Sequence, residues 1–379
     1  MINTGLYIHI PFCRTKCPYC SFVSKPCADQ PPDAYLETLQ TQITAFSSHP
    51  WVREQRFQTM FLGGGTPTIY QGEKLASLVS HSLQHLPFDS DPEISVEANP
   101  NTVSKDKLLA LRQAGVNRLS IGVQAMTPEM LAVLGRSHSV DDACRSFGVG
   151  REAGFGNINI DLIYGLPGQT VEHWQQTLQQ ALALQPEHLA LYELTIEPGT
   201  VFAKQMAQGR LSLPDEEQIV AMEEMTVREA AAQGIQRYEI SNYAKEGHQC
   251  RHNINYWQNG SYLGLGAGAV SCLDGRRVRN LADPEAYMES VANGQEPLEN
   301  EESLSLEASF RETVIMGMRM TDGINLADLK DRYGLEPLAY YGETLTRHIE
   351  RGAVIIEDDW MRLSQSALAV ADFILADLV

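Results

Sequence analysis

From Leu6 to Ala232 the chain alternates short apolar runs with amphipathic stretches. The runs Leu6–Ile10, Thr59–Leu62, Glu93–Val96, Arg118–Gly122, Asn157–Ile163 and His188–Leu191 read as β-strands. Asp33–Phe46, Glu73–Leu86, Lys105–Ala114, Asp141–Ala153, Val171–Leu184 and Glu216–Ala232 follow them with a helical period. Strand then helix, repeated in this way, predicts βαβ units and a parallel α/β sheet. Right-handed crossovers would close or half-close that sheet into a barrel, and an open doubly wound sheet is the alternative.

A polar or glycine-rich feature stands at the end of every run. The Cys13–Cys20 loop follows the first and Gly63-Gly64-Gly65-Thr66-Pro67 the second; Glu97, Gln124, Asp161 and Tyr192-Glu193 end the others. Any one of these is explained as a turn or a helix cap. Together they mark a site, because ligands bind at the carboxyl ends of strands in barrels and open sheets alike.

Past about residue 245 the pattern changes. His248–Leu265, rich in Asn, Gly, Tyr and Trp, reads as an irregular segment. Helices are expected at Ser303–Met320, Asn325–Tyr333 and Pro337–Arg351, then a hairpin of Ala353–Glu357 and Trp360–Leu363 about Asp358-Asp359, and a final helix at Ser366–Leu378. The expected division is a barrel over 1–245, a connecting segment over 246–300 and a small α+β winged-helix-like domain over 301–379. From Glu301 onward there are 7 Lys/Arg against 15 Asp/Glu, a net −8. That charge speaks against phosphate binding by this domain and favours a packing or lid role.

Composition changes the picture in two ways. The 379 residues carry 29 Lys+Arg and 48 Asp+Glu, a formal charge of −19. No general basic surface for nucleic acid or anionic lipid follows from that. No apolar run is long enough to span a membrane, and the first residues lack the pattern of a signal peptide, so neither is expected. Seven cysteines, an odd number with four among the first 27 residues, do not suit a disulfide framework. Clustered thiols in such a chain point to metal or redox chemistry.

Cys13-x-x-x-Cys17-x-x-Cys20 places three thiols on one loop. Three readings stand open on spacing alone. A [4Fe–4S] cluster held by three cysteines leaves one iron free for another ligand, and it is the preferred reading. Zinc would need a fourth ligand, such as Cys27 or His9. Unliganded thiols are the third.

This loop after the first strand of a six-fold βα barrel resembles the signature of the radical S-adenosylmethionine (SAM) superfamily. The resemblance implies a partial (βα)6 barrel, a [4Fe–4S] cluster on Cys13, Cys17 and Cys20, and SAM chelated at the open iron. It also implies that Tyr19, the aromatic before the last cysteine, contacts the adenine. Tyr7-x-His9-Ile10-Pro11-Phe12-Cys13, Gly-Gly-Gly-Thr-Pro at 63–67, Glu97 in Ser-Val-Glu-Ala-Asn-Pro, Gln124, Arg136 and Asp161 further resemble the oxygen-independent coproporphyrinogen oxidase subfamily. On that resemblance Gly64, Gly65 and Thr66 would let backbone amides approach the methionine moiety. Glu97, Gln124 and Asp161 would bond ribose hydroxyls or the amino group, and Arg136 would pair with a carboxylate. Turns, strand-end caps and a surface salt bridge are their structural alternatives.

Two departures matter. That subfamily continues Cys-x-Cys where this chain has Phe22, and it carries an N-terminal extension that is not expected here, because the first strand begins within ten residues of Met1. With His252-Asn253-x-x-Tyr256-Trp257, these features resemble the sister group of heme chaperones. The resemblance implies a protein that binds heme and delivers it to hemoproteins, respiratory ones among them, with an electron donor for the cluster. Membrane contact would then be peripheral, through those partners, and the location cytoplasmic, where the cluster is assembled and kept reduced. His252 is either an axial heme ligand or a hydrogen-bonded histidine tying its segment to the barrel. The competing functions are SAM-dependent oxidative decarboxylation of coproporphyrinogen III and a zinc-bound structural module.

Overall fold

The computed structural model describes residues 4–27, 30–273 and 275–379. Strands β1 (Thr4–Ile10), β2 (Phe57–Gly64), β3 (Phe88–Ala98), β4 (Arg118–Gln124), β5 (Ile158–Tyr164) and β6 (His188–Glu193) lie side by side in chain order, all parallel. Helices α1 (Asp33–Phe46), α2 (Gly72–His85), α3 (Lys105–Gln113), α4 (Val140–Glu152), α5 (Val171–Ala183) and α6 (Glu216–Ala232) follow them one by one. The strand order never reverses, so right-handed crossovers put every helix on the same face. A doubly wound sheet needs a reversal to cover both faces. The sheet instead curls into a partial barrel.

Strand parity shows what the curl encloses. One set of alternating residues (Leu6, Ile8, Met60, Leu62, Val96, Leu119, Ile121, Ile160, Leu189) is buried among apolar helix residues such as Leu39, Leu78, Leu111 and Trp174. The opposite set holds Thr59, Glu93, Ser95, Arg118, Ser120, Asn159 and His188, all buried and all polar. Parallel strands buried on both faces are ordinarily apolar on both. A polar barrel interior is therefore a feature that the core does not require.

The segment expected to be irregular is ordered. It forms α7 (Arg251–Trp257) and β8 (Ser261–Leu265), and β8 pairs in parallel with β1 on the side away from β2. Strands β9 (Val270–Leu273), β10 (Arg276–Asn280) and β11 (Leu298–Ser303) then extend the sheet antiparallel. At the other side Asn242–Ala244, here β7, runs antiparallel to β6. Residues 246–300 thus continue the barrel sheet. The turn after β8 is so close that a Cβ on Gly264 would sit 2.0 Å from the Val270 carbonyl oxygen. Only glycine fits there, which is why this strand carries a weak apolar signal.

Helices α8 (Leu306–Gly317), α9 (Leu326–Tyr333) and α10 (Glu343–Glu350) and a three-stranded sheet of Ile324–Asn325, Val354–Glu357 and Trp360–Leu363 make the C-terminal unit. It has its own apolar core, including Phe310, Val314, Leu329, Leu345, Met361 and Leu375. The order of helices and hairpin is the winged-helix-like one expected. The long helix expected over 337–351 is broken at Gly342, where φ is 52°. Asp358 and Asp359, with φ of 49° and 64°, form the expected tight hairpin turn. Among the described residues no helix is long and apolar enough to cross a membrane.

Candidate functional site

At the carboxyl ends of the barrel strands lies a cavity of about 440 Å3, within the range of small-molecule sites. The residues assigned from the sequence to the cluster, SAM and heme line it: Cys13, Cys17, Cys20, Tyr7, Tyr19, Gly64, Gly65, Thr66, Glu97, Gln124, Arg136, Asp161 and His252.

The cysteine loop is pinned at its base. Lys25 N–H donates to Pro11 O and Cys27 N–H to Cys13 O, both at 2.7 Å, so the loop is stitched onto its own return. The thiols of Cys13, Cys17 and Cys20 are half-buried. Burial pushes the thiols of Cys13 and Cys20 up from their ordinary pKa. Donors face two of the sulfurs: Thr66 Oγ1 lies 3.7 Å from Cys13 Sγ, and Arg136 Nη1 lies 3.5 Å from Cys17 Sγ. Such donors suit thiolate sulfur on iron. A closed zinc site fits less well. Among the described residues no three His, Cys, Asp or Glu side chains are arranged to hold one metal ion. His9, a candidate fourth ligand, has its nitrogens at 2.9 Å from the Tyr7 hydroxyl and 2.8 Å from Val23 O.

The glycine segment serves the site differently from the sequence expectation. The Gly64 amide donates to Glu97 Oε2 at 3.0 Å, Gly65 N–H to Ile10 O and Thr66 N–H to Phe12 O, both at 2.8 Å. No N–H of the three is left to meet a ligand. The glycines are required by packing instead: Gly64 has φ of 111° and its Cβ would meet the His9 ring at 2.4 Å, while a Cβ on Gly65 would meet Phe12 O at 2.6 Å. They press the second strand end against the cysteine loop.

Glu97 and Asp161 form the acidic wall. Burial, with repulsion from Asp161, raises Glu97 to about 8; the Gly64 amide and Arg118 oppose the shift. Burial raises Asp161 to about 6 against the pull of Asn159, Arg118 and Ser120. Asn159 Nδ2 donates to Asp161 Oδ1 at 2.6 Å, and Ser120 Oγ lies 3.3 Å from both carboxylate oxygens. Gln124 ends β4 with φ of 71°, beside a register shift that re-aims its side chain. This left-handed backbone in a residue other than glycine marks a strained strand end at a site.

Arg136 donates from Nη2 to Asn99 Oδ1 at 2.5 Å and to Gly122 O at 2.6 Å, so it is a half-buried bracket rather than a surface ion pair. Tyr19 packs on Phe202, ring centroids 6.3 Å apart, and interacts with Arg136 and Cys17. Tyr7 stacks on Phe61 and His252 at 6.3 and 6.4 Å.

His252 closes the amino-terminal floor of the barrel. Its Nδ1 lies 2.7 Å from Thr59 Oγ1 and its Nε2 2.9 Å from the Tyr256 hydroxyl. The ring is 1 % exposed, and burial holds its pKa down to about 3, helped by Arg118. A Cβ on Gly5 would approach it to 3.0 Å. Both nitrogens of the neutral ring are thus engaged within the protein. Cys250, two residues earlier, points its thiol at Glu93 Oε1, 3.6 Å away.

The motifs did not single out Asn99, Arg118, Ser120 and Asn159, which also line the cavity. The signal was parity. Asn99 is two residues from Glu97 and Asn159 two from Asp161, so each shares its strand face.

Residues 7–181 match the model of the radical SAM superfamily, and residues 304–370 match that of the HemN C-terminal domain. The heme chaperone HemW of Bacillus subtilis is 38% identical over 349 residues, 92% of either chain. HemW of Escherichia coli is 40% identical over 291 residues, 75% of either chain. Among solved structures, coproporphyrinogen III oxidase (HemN) of Escherichia coli, a radical SAM enzyme, superposes with a TM-score of 0.85 at 24% identity, covering 99% of this chain and 90% of that one.

Proposed function

The chain belongs to the radical SAM superfamily and, within it, to the HemW heme chaperones, and from that premise we propose that it binds a [4Fe–4S] cluster, SAM and heme, and hands the heme to target hemoproteins. The observation that carries the reading is the convergence of three thiols, two carboxylates and Arg136 on one cavity. Cys13, Cys17 and Cys20 would hold the cluster and leave one iron for SAM. When bound, such a cluster supplies an electron for reducing the SAM sulfonium.

The chain's own residues do the positioning. Asp161 and Glu97 accept hydrogen bonds from ribose hydroxyls or the SAM amino group, and Gln124 adds an amide beside them. Arg136 offers a guanidinium to a carboxylate, and Tyr19 lies against the adenine. Gly64, Gly65 and Thr66 hold the cysteine loop at the cavity edge. Tyr7 and Phe61 line the deeper wall. His252 becomes a heme ligand only if Nε2 leaves Tyr256, so heme binding through it requires the floor to open. The recipients include respiratory hemoproteins, a protein electron donor reduces the cluster, and the setting is the cytoplasm.

Phe22 favours the chaperone over the oxidase. It stands 64 % exposed on the cavity wall, where the oxidase subfamily carries a further cysteine. The deciding experiment is anaerobic, with reconstituted protein, SAM, a reductant and coproporphyrinogen III. The expected outcome is no protoporphyrinogen, together with transfer of bound heme to an apo-hemoprotein. Protoporphyrinogen formed at enzymatic rates would overturn the reading in favour of the oxidase. Iron and sulfide analysis tests the cluster: Cys13→Ala should lose the broad visible absorption, and a zinc-containing wild type would end the proposal.

A further inference from the structure

A continuous hydrogen-bonded chain crosses the cavity edge. Arg136 sends one guanidinium nitrogen to Cys17 Sγ at 3.5 Å and the other to Asn99 Oδ1 at 2.5 Å. Asn99 Nδ2 donates to Thr66 Oγ1 at 2.7 Å, and that hydroxyl donates its hydrogen to Cys13 Sγ at 3.7 Å. Each link has one polarity. The guanidinium has only donors, so Asn99 must turn its oxygen toward it and its NH2 toward Thr66. The Thr66 oxygen then accepts from Asn99 and its one hydrogen is directed to sulfur. The Asn99 backbone is held as well: its N–H donates to Thr102 Oγ1 at 3.2 Å, and Thr102 Oγ1 donates back to Asn99 O at 2.7 Å. A Cβ on Gly122 would come within 3.1 Å of Asn99 Oδ1, so glycine on the neighbouring strand leaves the amide oxygen its place.

We propose that Asn99 is a positioning residue that couples Arg136 to the Thr66 hydroxyl and thereby orients hydrogen-bond donors onto two of the three cluster thiolates, Cys13 and Cys17. This inference rests on the cluster reading above. Reduction adds negative charge to an iron–sulfur cluster, and donors to its sulfurs stabilise the more negative state, which raises the potential. Asn99 therefore acts on the potential through its neighbours, before SAM binds.

The test uses the full-length protein with its cluster reconstituted and no SAM added. The midpoint potential is read by a redox titration followed by electron paramagnetic resonance. Asn99→Ala and Thr66→Val should each shift the couple to lower potential. The double variant should shift it no further than the larger single change, because both remove the same terminal bond. Thr66→Ser, which keeps the hydroxyl, should return the wild-type value. Additive shifts, or wild-type potentials in Asn99→Ala and Thr66→Val with full iron content, would overturn the inference and leave the cluster reading intact. If Thr66→Val loses its iron, retention by Thr66→Ser supports the coupling and loss by both refutes it. A wild-type protein that takes up no iron–sulfur cluster defeats the underlying reading instead.

Discussion

Single residues at this site carry opposite demands from stability and binding. Glu97 is raised from 4.5 to about 8 and Asp161 from 3.8 to about 6, in each case first by burial. Both folded values lie above the unfolded ones, so over these windows the folded protein holds protons that the unfolded chain has released. Stability is therefore greatest at low pH within the windows and falls as pH rises through 6 and then 8. Glu97→Gln removes the charge and should raise the Tm of the ligand-free protein above pH 8, by about 2–4 °C for each kcal/mol recovered, as scanning calorimetry would show. A lower Tm in that variant would mean that the Gly64 amide stabilises the carboxylate more than burial penalises it. Binding runs the other way. Asp161→Ala should weaken SAM binding about ten- to hundred-fold, the worth of a charge-assisted hydrogen bond, while iron content stays at wild type. Affinity in the wild type should fall as pH drops below about 6, where Asp161 takes up its proton. Equilibrium dialysis across pH measures both, and a wild-type affinity in Asp161→Ala would remove it from the SAM site.

At the scale of elements, α7 is a short helix of seven residues whose position depends on one carboxylate. Glu93 accepts from the N–H groups of Arg251 at 3.0 Å and His252 at 3.1 Å, so a barrel strand supplies the helix with its N-terminal acceptor. Glu93→Ala should cost about 1–3 kcal/mol, since buried N–H groups would lose their partner. Hydrogen exchange of the amides of Arg251 and His252 should quicken; unchanged protection would show that α7 is held by its packing alone. Tyr256→Phe tests the floor more directly. It removes the competitor for His252 Nε2 and should speed heme binding, while His252→Ala should weaken the Soret band. If neither moves, His252 is a tie to the barrel and nothing more.

Across the whole molecule, α7 and the loop after it join barrel to C-terminal unit. Arg319 lies over the Trp257 ring at 4.6 Å and reaches Glu239 Oε2 at 4.0 Å. Asn259 Nδ2 donates to Thr313 Oγ1 at 2.9 Å, and Arg332 Nη2 donates to Asn259 O at 2.9 Å. Glu239 is fully buried, and Arg319 is the cation near its second oxygen. Arg319→Ala should therefore destabilise by about 1–3 kcal/mol in chemical denaturation, because it removes one charged neighbour of a buried carboxylate whose other oxygen keeps the Ser241 N–H and the Asn242 amide. Adding Glu239→Gln should restore part of that loss. If Arg319→Ala costs less than about 1 kcal/mol, the contact is an ordinary surface pair. A segment that touches both units is also where opening of the floor would be felt by the C-terminal unit.

The amino-acid sequence by itself determined the βα alternation, the parallel sheet and the gathering of Cys13, Cys17, Cys20, Glu97, Gln124 and Asp161 at one edge. These follow from local periodicity, and strand ends are local features. Period-2 parity even contained Asn99, Arg118, Ser120 and Asn159, although it does not rank them. Only tertiary structure decided what each polar group does, because its partners are distant in the chain. Gly64 meets Glu97 33 positions on, Arg136 meets Cys17 119 positions back, and Thr59 meets His252 193 positions away. For that reason the glycine amides turned out to be engaged within the protein, and both His252 nitrogens had partners. The strand Ser261–Leu265 joined the sheet for the same reason, since β1 offered it an unpaired edge that no local pattern reveals.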